Sequence, residues 1–552
     1  VAVINISGQL EERAQPGLLP SDDLDLGDLR DRIRKAATDP AVKALLLEID
    51  PTAMGFAKAD QLARYLASFR QTGKPVYAHM TQAMPAMYLA SLGADRINLV
   101  PTGVLIIPGI RAEVTFYKGT LDWLGIQPEY LQVGRFKGAA EPYHNKEMSE
   151  PLRKNLTEIV DGLYRQMIAG IARRRMMKAK DVQALIDKAM FSPEQAREAG
   201  LIDTTLYYED LRKQVENDLR DKVDFAEGYG KKDKPKVDLS NPFALLSTLM
   251  GPPRRTESGA DKIAVIYATG MIVPDSMSGL SDGVMTPGAI RRALERAVDD
   301  KTVKAIVLRI DSPGGSALAS DLIWKKVKQT DKVKPVIASF SDVAASGGYY
   351  IAMGCRMILA EPSTMTGSIG VAGGKFNLKG LYDKVGLTKD VISRGKRSGL
   401  FSTYGAWTDA ERGTIVQEMR RTYREFTARV KEARGFSDEQ IDKVALGRVF
   451  LGTQAVELKL VDKLGGLVEA VAEAKRAAGL DPEKPMELKI LPRLKSPLEM
   501  LLGSPDLAGA NSRRLEEALG SMEPAIARAL LLRRVMQHEP VVTALPFVLE
   551  LK

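Results

Sequence analysis

At 552 residues and 45% hydrophobic composition, the chain is too long for one ordinary core and sufficient for two or three domains with buried interiors. Its 79 basic and 70 acidic residues leave a net charge of +9 with the signs interspersed, as at Glu12-Arg13 and Glu295-Arg296, which favours a mildly basic surface compatible with docking near anionic lipid over a dedicated nucleic-acid protein. A single cysteine, Cys355, excludes a disulfide framework, three histidines without ligand-like spacing argue against a metal centre, and no apolar run approaches the roughly 20 residues of a membrane-spanning helix.

In chain order, Val3-Ile4-Asn5-Ile6-Ser7-Gly8 reads as a first strand. Because the chain opens on that strand at Val1, there is room upstream for an anchor or signal. A helical pattern runs from Gly27 to near Asp39, residues 42–50 form an apolar run ending at Asp50, and Lys74-Pro75-Val76-Tyr77-Ala78 opens another strand. Phe191-Ser192-Pro193-Glu194-Gln195-Ala196 and Gly200-Leu201-Ile202-Asp203 follow. The series then recurs. Val265-Ile266-Tyr267-Ala268-Thr269-Gly270 repeats the first strand, and Gly27 to Gly288 spans 261 positions, as does Asp50 to Asp311. Register kept through helix, strand and turn marks a tandem duplication. Strands alternating with helices in each copy imply an α/β fold with a mostly parallel sheet and right-handed crossovers.

A charged, Gly- and Pro-rich linker at residues 227–236 and 252–259 separates the copies. The expected division is residues 1–254 for the N-terminal repeat with its linker, 255–479 for the C-terminal repeat, and 480–552 for an extension with no counterpart. The apolar stretch 243–250 is suited to packing on another surface. The runs at Leu501-Leu502 and 527–532 read as extra helices that cover an edge or a subunit contact.

Copies that share a scaffold can diverge at the chemistry. Ser346 follows the strand-like run 335–340 and precedes Gly347-Gly348, a strand leading into a tight helix start where a hydroxyl meets free backbone N–H groups. The alternative is an N-cap serine on a buried helix. In the first copy Met84 and Pro85 stand opposite Ser346 and Gly347, and Pro51-Thr52-Ala53-Met54 replaces Ser312-Pro313-Gly314-Gly315. Adjacent glycines after a strand let backbone N–H groups approach an oxyanion, although alone they would form an ordinary Pro-Gly turn. The reverse asymmetry occurs at Lys137, which faces Ser398. A lysine replaces the usual histidine base when burial keeps it neutral, and Lys396, two residues from the aligned position, is the rival candidate. Gly373-Gly374-Lys375-Phe376 lacks the spacing and hydroxyl of a nucleotide-binding loop.

Asp311-Ser312-Pro313-Gly314-Gly315, Ala345-Ser346-Gly347-Gly348-Tyr349, Thr366-Gly367-Ser368-Ile369-Gly370-Val371, and Lys137 followed by Glu141-Pro142 and Met148-Ser149 together resemble the signal peptide peptidase A (protease IV) family in its long, duplicated form. The resemblance extends to about residue 480. It implies a tandem Clp-protease/crotonase-like ββα fold, a Ser346 nucleophile and a Lys137 general base. Oxyanion amides at Gly315 and Gly347 follow from it, as does a substrate-binding stretch at Gly367, Ser368, Ile369 and Gly370 that pairs with the peptide as an added strand. It further implies peptide substrates (signal peptides), no cofactor, no nucleic-acid partner, and a homotetramer anchored to the bacterial inner membrane with its catalytic part in the periplasm. The competing readings are a crotonase-like acyl-CoA enzyme, which uses paired oxyanion amides without a serine, and a catalytically silent scaffold.

Overall fold

The computed structural model describes residues 1–13, 25–231, 259–277, 283–492, 541–544 and 550–551. The apolar runs at 243–250, Leu501-Leu502 and 527–532 lie outside the described residues. Two compact units emerge. One is built on Val1–Ile110 and Asp161–Thr256; the other is built on Arg111–Val160 and Glu257–Arg493 and takes in residues 541–544 and 550–551.

The first unit contains a five-stranded sheet in the order Ala2–Gln9, Leu45–Ala53, Val76–Ala83, Arg96–Ile106, Met190–Phe191. Its first four strands are parallel and the short last one is antiparallel. Strand periodicity explains the buried faces. Ala2, Ile4 and Ile6 enter one apolar cluster while Val1 and Val3 enter another. A parallel sheet needs both faces covered in this way.

The second unit repeats the pattern with Lys262–Thr269, Val303–Ser312 and Val336–Ala345 as its parallel centre. Ala264, Ile266 and Ala268 face one cluster; Ile263, Val265 and Tyr267 face the other. Glu487–Leu491 extends one edge, and Met365–Gly367 followed by antiparallel Val449–Leu451 forms the other. A further six-stranded sheet belongs to this unit, in the order Val284–Met285, Met271–Ile272, Gly314–Ser316, Val541–Ala544, Val371–Asn377, Gln127–Val133.

The mixed α/β class with one unit written twice is therefore present, down to individual bonds. The Tyr88 hydroxyl donates to the Leu201 carbonyl at 2.7 Å, and the Tyr349 hydroxyl donates to that of Leu460 at 2.8 Å. Asp203 accepts from Ile97 N and pairs with Arg175, as Asp462 accepts from Ile358 N and pairs with Arg434. Lys74 donates to the carbonyls that end the helix Leu26–Thr38, and Lys334 does the same at Pro287–Asp299. Where the C-terminal extension is described, at residues 487–491, 541–544 and 550–551, it forms strands, and the runs expected to be helical lie outside these segments. The alternation in Glu487-Leu488-Lys489-Ile490-Leu491 and the β-branched Val541-Val542-Thr543 favour that state. Among the described residues no helix is long and apolar enough to cross a membrane.

Candidate active site

Ser346 occupies the sharp turn between the strand Val336–Ala345 and the helix Gly347–Ala352, with φ 55° and ψ −114°. A non-glycine residue there carries strain on the order of 1–3 kcal/mol and persists only where its surroundings fix it. Two backbone bonds do so. Ser346 N donates to the Gly367 carbonyl at 2.8 Å, and the Ser346 carbonyl accepts from Tyr350 N at 2.8 Å. The serine side chain makes no cap bond to this helix, so the N-cap alternative does not describe it.

Lys137 meets that serine. Its Nζ lies 2.7 Å from Ser346 Oγ, 3.0 Å from the Ser368 carbonyl oxygen and 2.9 Å from Ser368 Oγ. Lys137, Ser346 and Ser368 are fully buried. Burial pushes the Lys137 pKa well below the ordinary 10.5, with no charged neighbour contributing. Three partners fit a neutral amine well. Its two N–H groups donate to Ser368, and its lone pair accepts from the Ser346 hydroxyl. Although Lys137 falls in the first sequence copy, its segment Arg111–Val160 belongs to the same compact unit as Ser346. The rival Lys396 is exposed.

The lysine segment is clamped to residues 446–449. Phe136 N donates to the Leu446 carbonyl at 2.9 Å, Gly447 N to that of Ile369 at 2.7 Å, and Ser368 N to that of Arg448 at 2.7 Å. Buried Asn155 donates to the Val449 carbonyl and accepts from Val449 N, both at 2.8 Å. Arg448 pairs with Glu158 at 2.5 Å. Glu141 binds Ser149 through both its backbone N–H and its hydroxyl, closing the loop after the lysine. Gly447 is the tightest point. At φ 84°, a Cβ there would lie 2.5 Å from Lys137 N and 2.6 Å from Lys137 Cα. Neither Gly447 nor Asn155 stood out in the sequence. Gly447 was accessible in principle, because in the register that pairs Phe191 with Phe450 the first copy carries Lys188 at this position.

Gly315 sits inside the strand Gly314–Ser316, paired with Ile272, and Gly347 opens the helix beside Ser346. A Cβ placed on Gly314 would lie 2.7 Å from Gly347 N and 3.1 Å from Ser346 Cβ, so this strand passes close to both. Gly367 pairs with Ala345 on one side and Val449 on the other. Ile369 is fully buried, and a Cβ on Gly370 would lie 3.1 Å from Lys137 Cδ. The stretch Gly367-Ser368-Ile369-Gly370 thus forms a wall of the lysine's pocket.

The model of peptidase family S49 matches residues 68–222 and 328–481, once in each copy. The chain belongs to peptidase family S49. A chloroplastic serine protease SPPA of Arabidopsis thaliana is 31% identical over 504 residues, covering 90% of this chain and 71% of that protein. Protease 4 of Haemophilus influenzae is 30% identical over 458 residues, covering 80% and 71%. Among solved structures, a ClpP1 variant from Listeria monocytogenes is similar at 15% identity and a TM-score of 0.25, covering 38% of this chain and 94% of that one. As an S49 member the chain is a serine peptidase acting on peptides, which sets aside the acyl-CoA and silent-scaffold readings.

Proposed function

We propose that this S49 peptidase works through a Ser346/Lys137 dyad and degrades cleaved signal peptides at the membrane. The observation that carries the dyad is the buried 2.7 Å approach of Lys137 Nζ to Ser346 Oγ. Neutral Lys137 takes the hydroxyl proton as Oγ bonds to the scissile carbonyl carbon. The Gly315 and Gly347 amides stabilise the oxyanion. Collapse breaks the C–N bond, and the lysine ammonium returns the proton to the leaving amine. A water then gives its proton to Lys137 and attacks the acyl carbon; collapse breaks the C–Oγ bond, the lysine ammonium returns the proton to Ser346 Oγ, and the second product leaves. Ser368 keeps the amine's lone pair aimed at Oγ through the two bonds it accepts.

The signal-peptide substrate is carried over from the family resemblance. Following the family resemblance, we assign the enzyme to the bacterial inner membrane as an anchored homotetramer, with its catalytic part in the periplasm. The test is labelling of the full chain with a fluorophosphonate probe, followed by peptide mapping. The expected adduct is on Ser346. An adduct on another serine, or none in folded protein, would overturn the reading.

A further inference from the structure

The first unit has Met84 where the second has Ser346, yet it holds a cavity of its own. This cavity of about 270 Å³ is lined by Glu48, Asp50, His79, Thr81, Tyr208 and Glu227, all of which belong to that unit. It is smaller than the roughly 300–1,000 Å³ of sites that enclose a drug-sized ligand, and suits one side chain. Among the described residues its three carboxylates form no ion pair. Asn5 Nδ2 donates to Glu48 at 3.4 Å and to Asp50 at 2.9 Å, and the Tyr208 hydroxyl donates to Glu227 at 2.8 Å. The Arg212 guanidinium lies over the rings of Tyr208 and Phe225, at 5.8 and 4.3 Å, instead of on an acid.

His79 points to a ligand independently of the acids. It is 7% exposed and stands in a row across the sheet, where Glu48 pairs with His79 and His79 with Asn98. Asn98 Oδ1 accepts from Leu206 N and Thr204 Oγ1, so its Nδ2 is the donor that meets His79 Nδ1 at 2.8 Å. Burial lowers the His79 pKa from the ordinary 6.5 and favours the neutral ring, whose proton is then on Nε2. That Nε2–H lies on the far side of the ring from Asn98, toward Glu48 and the cavity, and has no hydrogen-bond partner among the described residues.

The second unit shows what this position accepts. Arg309 stands in the place of Glu48 and Ser339 in that of His79, paired in the same register. Arg309 is fully buried, and its Nη1 donates to Ser339 Oγ at 2.9 Å and to the Phe340 carbonyl at 2.8 Å. This face of the sheet therefore encloses a guanidinium where the chain supplies one. In the first unit the shorter glutamate replaces the arginine and the volume is left open. A guanidinium brought in from outside meets carboxylates through parallel N–H donors and stacks on a tyrosine ring, which the point charge of an ammonium does less well.

We propose that the cavity of the first unit binds an arginine side chain of a peptide, with Glu48 and Asp50 holding the guanidinium and His79 Nε2–H donating to the main-chain carbonyl beside it. The cation is organic, since among the described residues no group of His, Cys, Asp and Glu is arranged to hold a metal ion. The proposal takes nothing from the dyad, so the two can fail separately.

The experiment titrates the full chain with N-acetyl-arginine amide and follows binding by calorimetry and by the carbon-13 Cε1 resonances of its three histidines. The expected result is one site per chain and a shift of the His79 resonance, assigned with His79→Gln. Glu48→Gln and Asp50→Asn should each weaken binding by about tenfold. N-acetyl-citrulline amide, a neutral isostere, should bind more weakly by about tenfold or more. N-acetyl-lysine amide should also bind more weakly for want of the planar fork, and free arginine because its own carboxylate meets the acids. Equal affinity for the citrulline analogue, unchanged affinity in both carboxylate variants, or a shift at His144 or His538 in place of His79 would overturn the site. Tighter binding of the lysine analogue would overturn the guanidinium, and tighter binding of free arginine would overturn a peptide as its source. The analogue series uses the native chain and decides the matter even where a variant fails to fold. No hydrolysis is read, so an inactive Ser346 leaves the test intact.

Discussion

Met84 and Ser346 hold the same position in the two units. Each ends a strand, Val76–Ala83 or Val336–Ala345, and precedes a short helix, Pro85–Ser91 or Gly347–Ala352. Met84 is relaxed at φ −91° and ψ 165° and is 41% exposed; Ser346 is strained at φ 55° and fully buried. The surrounding scaffold is otherwise kept, including the buried tyrosine hydroxyl bond three residues beyond Ser346 and four beyond Met84. The strained turn is therefore dispensable for the fold, since the first unit closes the same connection without it. At Ser346, strain on the order of 1–3 kcal/mol accompanies a hydroxyl placed 2.7 Å from the Lys137 amine.

The largest expected effect tests this contrast directly. Ser346→Ala should abolish hydrolysis, a fall on the order of 10⁴-fold or more, while Met84→Ser should create no second fluorophosphonate adduct, because its turn is relaxed. A labelled serine at position 84 would break the contrast. Next, Lys137→Met should reduce kcat/KM by about 10³-fold or more, with Lys396→Ala close to the native rate. The pH dependence carries the same assignment. If the proposed dyad holds, activity requires the neutral amine, and kcat/KM should rise with pH through the lowered Lys137 pKa and level off well below 10.5. The sign for stability follows from proton release. With the folded pKa below the unfolded one, folding expels a proton between the two values, and the cost of burying this lysine grows as pH falls from 10.5 toward the folded pKa. Lys137→Met should flatten that part of the stability profile, as read by urea unfolding at several pH values.

Much of the fold was legible because it was written twice. Register between Gly27 and Gly288 and between Asp50 and Asp311 exposed the repeat, and β-branched runs such as residues 303–310 identified central strands. Ser346 and Lys137 were legible as departures from that repeat. What stayed hidden depends on tertiary approach. Gly447 looks like any loop glycine until the Lys137 backbone is found against it. Ser368 was expected along the substrate path; that its carbonyl and hydroxyl oxygens also accept from the lysine amine was not legible. The strand Val541–Ala544 is four residues long and carries no period strong enough to mark it, and its neighbours in the sheet lie some hundreds of positions earlier in sequence.

Smaller effects probe how the lysine is held. Gly447→Ala pushes a methyl into the Lys137 backbone and requires a left-handed φ of 84°, so kcat should fall about tenfold to a hundredfold through misplacement of the amine. The matching first-unit change, Lys188→Ala, lies at an exposed position and should leave kcat alone. Ser368→Ala removes one acceptor from Lys137 Nζ. Because that bond is stronger to the ammonium than to the amine, its loss disfavours the charged form. The pH–rate profile should shift to lower pH even as kcat drops by about tenfold. A shift to higher pH would mean that Ser368 does not accept from the lysine.

The smallest expected effect asks whether a lysine in the aligned position is enough. Ser398→Lys restores to the second copy the residue that the first copy has at Lys137. Position 398 is exposed, whereas residues 134–138 are held against Leu446 and Gly447. An ammonium left in water keeps its proton and cannot act as a base. Activity, labelling and pH profile should therefore stay within about twofold of the native chain, as for most exposed substitutions. A changed pH profile would instead mean that position 398 reaches a serine, and that register alone, without burial, had carried the assignment of Lys137.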